Sequence, residues 1–203
     1  MARPAPLQPH LYPATERDLE GLPEDVIGQI IDGELIVHPR PDPPHVQAAS
    51  GLGVLLSGPF RYGFGNGPGG WIILDEPKIR FGRDLLVPDL AGWRRERFVP
   101  IRRGPYIVVP DWICELLSPS TARDDRVRKL PIYAREGVPH AWIIDPTLRT
   151  LEVLRLQEGR WLIVNVFHDD EKVRAEPFEA VELDLALLWE DLPAEEEEPE
   201  DEP

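Results

Sequence analysis

An apolar run at residues 106–117 constrains the fold most, because it places Glu115 between Cys114 and Leu116. Apolar residues on both faces of a strand indicate a position in the middle of a sheet. An unpaired carboxylate is costly in such a place, so Glu115 needs a cation or hydrogen-bond donors nearby. The run therefore predicts a central strand whose acidic side chain meets a partner from elsewhere in the chain.

A second acid, Asp89, follows Pro88 in another predicted strand at residues 85–93. Either acid alone is equally well explained by a neighbouring arginine, whereas two acids on successive strands favour a shared divalent cation. Carboxylate oxygens suit Mg²⁺ or Mn²⁺, and the sequence lacks the Cys/His cluster that is typical of zinc sites. The two acids together therefore predict a metal site at Asp89 and Glu115.

A competing Pro-Asp pair, Pro110-Asp111, lies in the same predicted strand as Glu115. Asp111 precedes Glu115 by four residues, which corresponds to roughly 13 Å along a strand. Two carboxylates that far apart cannot both ligate one Mg²⁺ at about 2.1 Å. Asp89 is on a different strand and can lie beside Glu115, so Asp89 is the predicted ligand and Asp111 a strand-entry residue.

The remaining segments alternate between strand and helix patterns. Asp32-Gly33 separates two apolar runs and predicts a hairpin at residues 28–37. Asp42 begins one helix, and Thr121 begins another that ends near Glu136. Further strands are predicted at residues 71–74, 78–81 and 141–145, with a second hairpin at 151–167. The fold class is α/β, in the wider sense α+β: a central mixed β-sheet flanked by helices, with additional β-hairpins.

The two ends of the chain differ from its middle in composition. Residues 1–14 are rich in proline and predict a flexible arm, and residues 191–203 predict a disordered acidic tail. Residues 15–190 then form one domain. Nine of the 37 acids lie in residues 190–203, so the rest of the chain holds 28 acids against 22 bases and has no general attraction for phosphates.

Basic residues cluster at one place, where they fit a solvated loop and a nucleic-acid contact surface equally well: Arg94, Arg95, Arg97, Arg102 and Arg103. The Gly-rich segment 63–70 has no following Lys-Ser/Thr, so it is interpreted as a flexible connection and not as a phosphate-binding loop. A single cysteine permits no internal disulfide, and no apolar run approaches the roughly 20 residues that span a bilayer. A cytoplasmic location without membrane contact is expected.

Several segments together resemble the PD-(D/E)XK, or restriction-endonuclease-like, nuclease superfamily, and most closely its Uma branch of restriction endonucleases. They are IIDGELIVHP at 30–39, His45, VPDLAGW at 87–93, ICELLSPST at 113–121, Lys129 with Tyr133, and GVPHAWIID at 137–145. The resemblance covers about residues 15–190 and implies the same fold, a central mixed sheet flanked by helices. It also implies an endonuclease that hydrolyses phosphodiester bonds in DNA, with Mg²⁺ or Mn²⁺ as cofactor.

The resemblance assigns the metal ligands. Asp89 and Glu115 would hold the ion together with the main-chain carbonyl of Leu116. Glu34, directly after the hairpin turn, would be an additional ligand or would support the others, although an acid after Asp-Gly is also an ordinary turn residue.

The resemblance also identifies a lysine, with one departure from the general motif. The position two residues after Glu115, where the general motif has a lysine, is Leu117. In the Uma pattern the lysine lies in the following helix, and Lys129 matches it. Lys129 would orient the attacking water or contact the scissile phosphate, whereas without the resemblance it is interpreted as a surface lysine beside Asp125.

Four residues are the expected substrate contacts: His45, Tyr133, Arg94 and Arg95. His45 is in the first turn of a helix, and Tyr133 follows Lys129 by one helical turn. Both are equally compatible with a structural role in which they order the site.

A second class of function stays open beside the endonuclease. The acidic net charge, Leu117 and the acidic tail are also typical of a nuclease fold that serves as a catalytically inactive binding or regulatory module. For the enzyme, a homodimer is expected by analogy, because two symmetric sites can cut both strands of DNA. A measurement of divalent-ion binding separates the two hypotheses, because only the endonuclease requires a bound ion.

Overall fold

The computed structural model describes residues 13–190 and residue 192. The predicted Pro-rich arm, residues 1–14, and the predicted acidic tail, residues 191–203, lie outside the described residues except for residues 13, 14 and 192. No helix in the described part of the chain combines the length and the apolar character that a membrane crossing requires.

The helices are short, apart from one. They are α1 (Glu16–Glu20), α2 (Pro43–Leu56), α3 (Ala122–Asp124) and α4 (Leu130–Arg135), with π-helical turns at Ser57–Arg61 and Asp125–Lys129 and 3₁₀ turns at Phe64–Asn66 and Leu185–Leu188. The strands are β1 (Val26–Ile31), β2 (Glu34–Pro39), β3 (Trp71–Asp75), β4 (Ile79–Phe81), β5 (Asp84–Leu86), β6 (Leu90–Arg94), β7 (Trp112–Leu116), β8 (His140–Asp145), β9 (Thr150–Gln157), β10 (Arg160–His168), β11 (Lys172–Val173) and β12 (Leu183–Asp184).

Six strands form the main sheet in the order β10-β9-β8-β7-β6-β3. Strands β7 and β8 are parallel and the other pairs are antiparallel, so the sheet is mixed. Strand β7 is buried along its whole length because each face is covered. α2 packs on one face and α4 on the other. The predicted fold class is confirmed, and β7 is the predicted central strand.

A smaller sheet, β2-β1-β5-β4, stands beside the main one. Its β1-β2 hairpin is the one that Asp32-Gly33 predicts, since both turn residues have positive φ, 52° and 81°. The second predicted hairpin is formed by β9 and β10.

Two of the predicted strands differ from the observed ones, and a proline explains each difference. The single strand predicted at residues 85–93 is wrong: it is divided at Val87-Pro88-Asp89, so β5 belongs to the small sheet and β6 to the main sheet. Pro88 has no amide hydrogen for a sheet ladder. The strand predicted at 106–117 is too long, because regular pairing begins only after Pro110, and Tyr106 makes an isolated bridge to Ile79.

The helix predicted from Thr121 to about Glu136 is present, but a π-helical turn divides it into α3 and α4. Pro131 cannot donate the main-chain hydrogen bond that would continue an α-helix from the preceding turn. The turn contains Asp125 and Lys129, and π-helical turns often occur at functional sites.

Helix α2 lies close to the backbone of the turn Leu185–Leu188. A β-carbon placed on Gly51 would be 2.9 Å from the carbonyl oxygen of Leu187, whereas one placed on Gly58 would have no neighbour within 4 Å. Glycine at position 51 therefore permits the approach that fixes α2 against the rest of the domain.

We expect Gly51→Ala to have a free energy of unfolding about 1–3 kcal/mol below that of the control Gly58→Ala, because only position 51 is overpacked. Gly58 lies in the π-helical turn that follows α2, where the added methyl group meets no neighbour among the described residues, so the difference between the variants reports mainly the steric cost at position 51. Urea denaturation of the two variants measures it. Equal midpoints would show that the contact at Gly51 does not constrain α2.

Candidate active site

The strand register brings the two predicted acids together. Leu90 pairs with Cys114 in the antiparallel ladder of β6 and β7, so the residue before Leu90 lies opposite the residue after Cys114. These residues are Asp89 and Glu115. In addition, the amide of Leu116 donates a hydrogen bond of 2.6 Å to Oδ2 of Asp89. The split of the predicted strand therefore places Asp89 at the junction of the two sheets, directly beside β7.

Alternation along β7 determines which way Glu115 points. Cys114 and Leu116 pack in the cluster that includes α2, whereas Ile113 and Leu117 pack in the cluster that includes α4. Because side chains alternate along a strand, Glu115 faces the α4 side. Leu117 shares that face, but it is buried among apolar residues and supplies no charge.

The π-helical turn and α4 supply the partners of Glu115. Nζ of Lys129 lies 2.9 Å from Oε2 of Glu115, and the hydroxyl of Tyr133 donates to Oε1 at 2.6 Å. Lys129 Nζ also lies 2.8 Å from Oδ1 of Asp125. Asp125, Lys129 and Tyr133 are four residues apart in sequence, so their side chains project from one side of the helix. Lys129 is 4% exposed, so the surface-lysine interpretation is wrong.

Burial dominates the electrostatics of this group. It raises the pKa of Glu115 to about 8, an effect that the charge of Lys129 opposes and that the charges of Asp125 and Asp89 reinforce. Burial also disfavours the charge of Lys129, but the carboxylates of Glu115, Asp125 and Asp89 outweigh it and raise the pKa of the lysine. One ammonium group is therefore shared by three acids.

His45 holds Asp89 from the other side. It lies in the first turn of α2, where the side chain of Asp42 caps the helix by accepting from the His45 amide at 3.1 Å. Nε2 of the imidazole is 3.1 Å from Oδ1 of Asp89. Burial lowers the pKa of His45, but the hydrogen bond and charge of Asp89, with the charges of Asp42 and Asp125, raise it overall.

A cleft of about 320 Å³ opens above these side chains, and we call it the Asp89 cleft. Asp89, Lys129, Asp125 and His45 line it, whereas Glu115 lies beneath it, fully buried. The opposite wall comes from the small sheet and the segment after β2, with His38 and Arg40 among its residues. The cleft therefore has room for a small charged group next to Asp89 and Lys129.

The donor set suits a hard divalent cation. In the described part of the chain, no three side chains of His, Cys, Asp or Glu are arranged to hold a metal ion. Mg²⁺ is commonly bound through one or two carboxylates, with waters and substrate oxygens completing its shell. Asp89 and Glu115, with the carbonyl of Leu116, match this kind of coordination.

Four of the predicted site residues are not brought to the cleft. Tyr133, predicted as a substrate contact, is fully buried and contacts Glu115 instead. Glu34 is exposed, and its carboxylate lies 2.7 Å from Arg128. Arg94 is at the far end of β6, roughly 16 Å from Asp89 at about 3.3 Å per residue, and its guanidinium lies over the ring of Trp71. Arg95 donates to the carbonyls of Arg61 and Trp71.

Other polar residues of the cleft carry no strong sequence signal. Asp125 is 1% exposed, yet it stands in a run of charged residues that is typical of a solvated helix. His38 lies within β2, 3.3 Å from Asp124, and its strand pattern gives it no signal. The buried Gln29, whose side chain accepts from the amide of Val87, is the one with a readable signal, since it interrupts an apolar strand.

Comparison with known proteins supports one family. The sequence profile of Uma2, described as "Putative restriction endonuclease", matches residues 16–187. The fold resembles the crystal structure of "a putative nuclease belonging to DUF820 from Anabaena variabilis ATCC 29413", with a TM-score of 0.68 and 24% sequence identity. That alignment covers 88% of this chain and 98% of the other, and at such identity it supports the fold alone. No curated protein matches the sequence.

Lys129→Met tests the buried charge pair. We expect it to lower the free energy of unfolding by about 3–5 kcal/mol, because Glu115 and Asp125 lose their shared counter-charge, and Glu115 then either stays buried with its charge or takes up a proton that the unfolded chain does not bind. Adding Glu115→Gln should recover much of the loss, since a neutral amide needs no cation. The control Arg126→Met breaks the more exposed pair with Glu152 and should cost no more than about 1 kcal/mol. Equal losses in the two methionine variants, by urea denaturation, would contradict this account.

Proposed function

Since this chain belongs to the Uma2 family, described as "Putative restriction endonuclease", we propose that it is a Mg²⁺-dependent endonuclease that hydrolyses phosphodiester bonds in DNA. The observation that carries the proposal is the buried contact of 2.9 Å between Lys129 and Glu115, next to Asp89 at the floor of an open cleft. A buried acid with a strongly raised pKa and a specific cationic partner beside a cleft is typical of functional sites.

Asp89, Glu115 and the carbonyl of Leu116 are the proposed ligands of Mg²⁺, and Mn²⁺ is the expected substitute. When bound, the ion supplies Lewis-acid stabilisation of the charge that develops on the phosphate. Asp89 keeps one edge towards the cleft while His45 and the amide of Leu116 fix its orientation. Such fixed acids need little rearrangement when a cation arrives.

Lys129 is the proposed partner of the reacting groups. Its ammonium group has three N–H bonds, of which one is donated to Glu115, while Oδ1 of Asp125 lies 2.8 Å from the same nitrogen. Because Lys129 lines the cleft, a remaining N–H bond can orient a water or a phosphate oxygen there. An ammonium ion is a compact charge that can serve either role, and the flanking acids keep it charged.

Tyr133 is proposed as a positioning residue, because it is fully buried and donates to Glu115. His45 is proposed to orient Asp89 and to contact the substrate at the cleft wall. Arg94 and Arg95 would contact only a substrate long enough to reach the far end of β6. A homodimer remains the proposed assembly, since two symmetric sites would cut both strands.

Cleavage of supercoiled plasmid with Mg²⁺ tests this function. Asp89→Asn and Glu115→Gln should each lower the cleavage rate at least about 100-fold, because each removes a charged ligand where transition-state charge is stabilised. EDTA should abolish cleavage by the wild-type protein. Asp111→Asn is a matched control, since Asp111 also follows a proline but pairs with Arg97 away from the cleft. Wild-type rates in both site variants would overturn the assignment.

One observation favours the second function, a catalytically inactive nuclease-fold binding or regulatory module: Leu117, which stands where the general motif has a lysine, is buried among apolar residues and supplies no charge. Titration calorimetry with Mg²⁺ and Mn²⁺ discriminates the two. Nucleic-acid binding without ion binding or cleavage would support the module, whereas ion binding that is lost in Asp89→Asn would support the enzyme.

A further inference from the structure

A second cleft, of about 610 Å³, runs along the outer face of α2, and we call it the α2 groove. It adjoins the Asp89 cleft, because Pro41, His45 and Asp89 line both. Its volume is within the range of about 300–1,000 Å³ that is typical of pockets for small molecules. A substrate bound at Asp89 would therefore lie directly beside this groove.

An exposed pair of stacked aromatic rings closes the far end of the groove. Tyr62 and Phe64 are 58% and 68% exposed, and their ring centroids are 5.5 Å apart with an interplanar angle of 23°. Gly63 and Gly65 have positive φ, 72° and 61°, which side chains rarely tolerate. The Gly-rich segment thus turns the chain on both sides of Phe64 and presents the two rings together.

The floor between the rings and Asp89 is apolar, and most of its side chains are small. It is formed by α2 and the turn that follows, where Val46 and Val54 are 48% and 74% exposed and Ala49, Gly53 and Gly58 leave space. Large exposed apolar side chains in one continuous groove mark a binding surface.

Both clefts contain acids, but they differ in their cations. The Asp89 cleft also contains Lys129 and Arg40, which suit a phosphate, whereas no lysine or arginine is among the described residues that line the α2 groove beside Asp75 and Glu76. Arg40 lies 3.1 Å from Glu76 at the boundary. Glu76 also donates its amide to the carbonyl of Asp89 at 2.8 Å, so the groove wall is fixed to the proposed metal ligand.

We propose that the α2 groove binds an unpaired nucleobase of the strand whose phosphate lies in the Asp89 cleft, with the base stacked on Phe64 and Tyr62. The inference rests on the proposed nuclease function and names its substrate class, nucleic acid with single-stranded or extruded nucleotides beside the scissile bond. A base paired within a duplex keeps its faces stacked on its neighbours and cannot reach the rings. Aromatic rings bind unpaired bases with little sequence preference, because every base has a π-face.

Fluorescence anisotropy with the full-length protein in EDTA tests the proposal without cleavage. The probes are a labelled oligothymidine of about 15 nucleotides and a blunt duplex of the same length. Tyr62→Ala and Phe64→Ala should each weaken oligothymidine binding about 5- to 100-fold and change duplex binding less than about twofold. Phe64→Trp should retain the affinity, whereas Phe64→Leu, which keeps apolar bulk without a ring, should lose it. Ile107→Ala, at another exposed apolar residue, is the control.

The outcomes separate this inference from the nuclease proposal. Plasmid cleavage by the wild-type protein, with unchanged oligothymidine affinity in the Tyr62→Ala/Phe64→Ala double variant, would overturn the base site and leave the nuclease intact. Ring-dependent oligothymidine binding without cleavage would support the base site and overturn the nuclease. Light scattering tests a third outcome. If the wild-type protein is a dimer, the double variant is a monomer and its oligothymidine affinity is unchanged, the rings form an interface with a second copy and the inference fails.

Discussion

The structure around the cleft depends on one carboxylate that has been removed from water. Glu115 is fully buried on the central strand, and such a group is stable only with a counter-charge and donors in close contact. Lys129 provides the counter-charge and Tyr133 a donor. Both contacts require the π-helical turn and α4 to pack on the main sheet directly over Glu115. The contacts that stabilise the buried acid also hold the charged ammonium group of Lys129 beside Asp89. Stability and the proposed chemistry therefore share one set of side chains.

Pro88 determines the position of the second carboxylate, that of Asp89. Pro88 ends the ladder of β5, and the chain passes from the small sheet to the main sheet before β6 begins. Asp89 is thus at a junction, where one face of its carboxylate is open to the cleft and the other is held by His45 and the amide of Leu116. The α2 groove begins at the same point, so the junction connects the proposed site of phosphate hydrolysis with the proposed base site.

Much of the framework could be predicted from the sequence, because its signals are local. The Asp32-Gly33 turn, the helix begun by Asp42 and the mixed sheet follow from turn chemistry, capping and apolar patterning, and the pairing of Asp89 with Glu115 follows from strand spacing. The assignment of Lys129 needed the family resemblance, since Leu117 stands where a lysine was expected. Asp125 could not be recognised as buried, because a charged run gives no signal of which member faces the sheet. The displacement of Glu34 and Arg94 from the cleft depends on tertiary contacts that spacing does not encode.

The most direct measurement of the central claim is anomalous scattering from crystals soaked in Mn²⁺. The account predicts one ion bound between the carboxylates of Asp89 and Glu115, next to the carbonyl of Leu116, with the Lys129 ammonium group on the cleft side. An ion bound elsewhere in crystals of a protein that cuts DNA with Mn²⁺, with Asp89 and Glu115 free of metal, would contradict it.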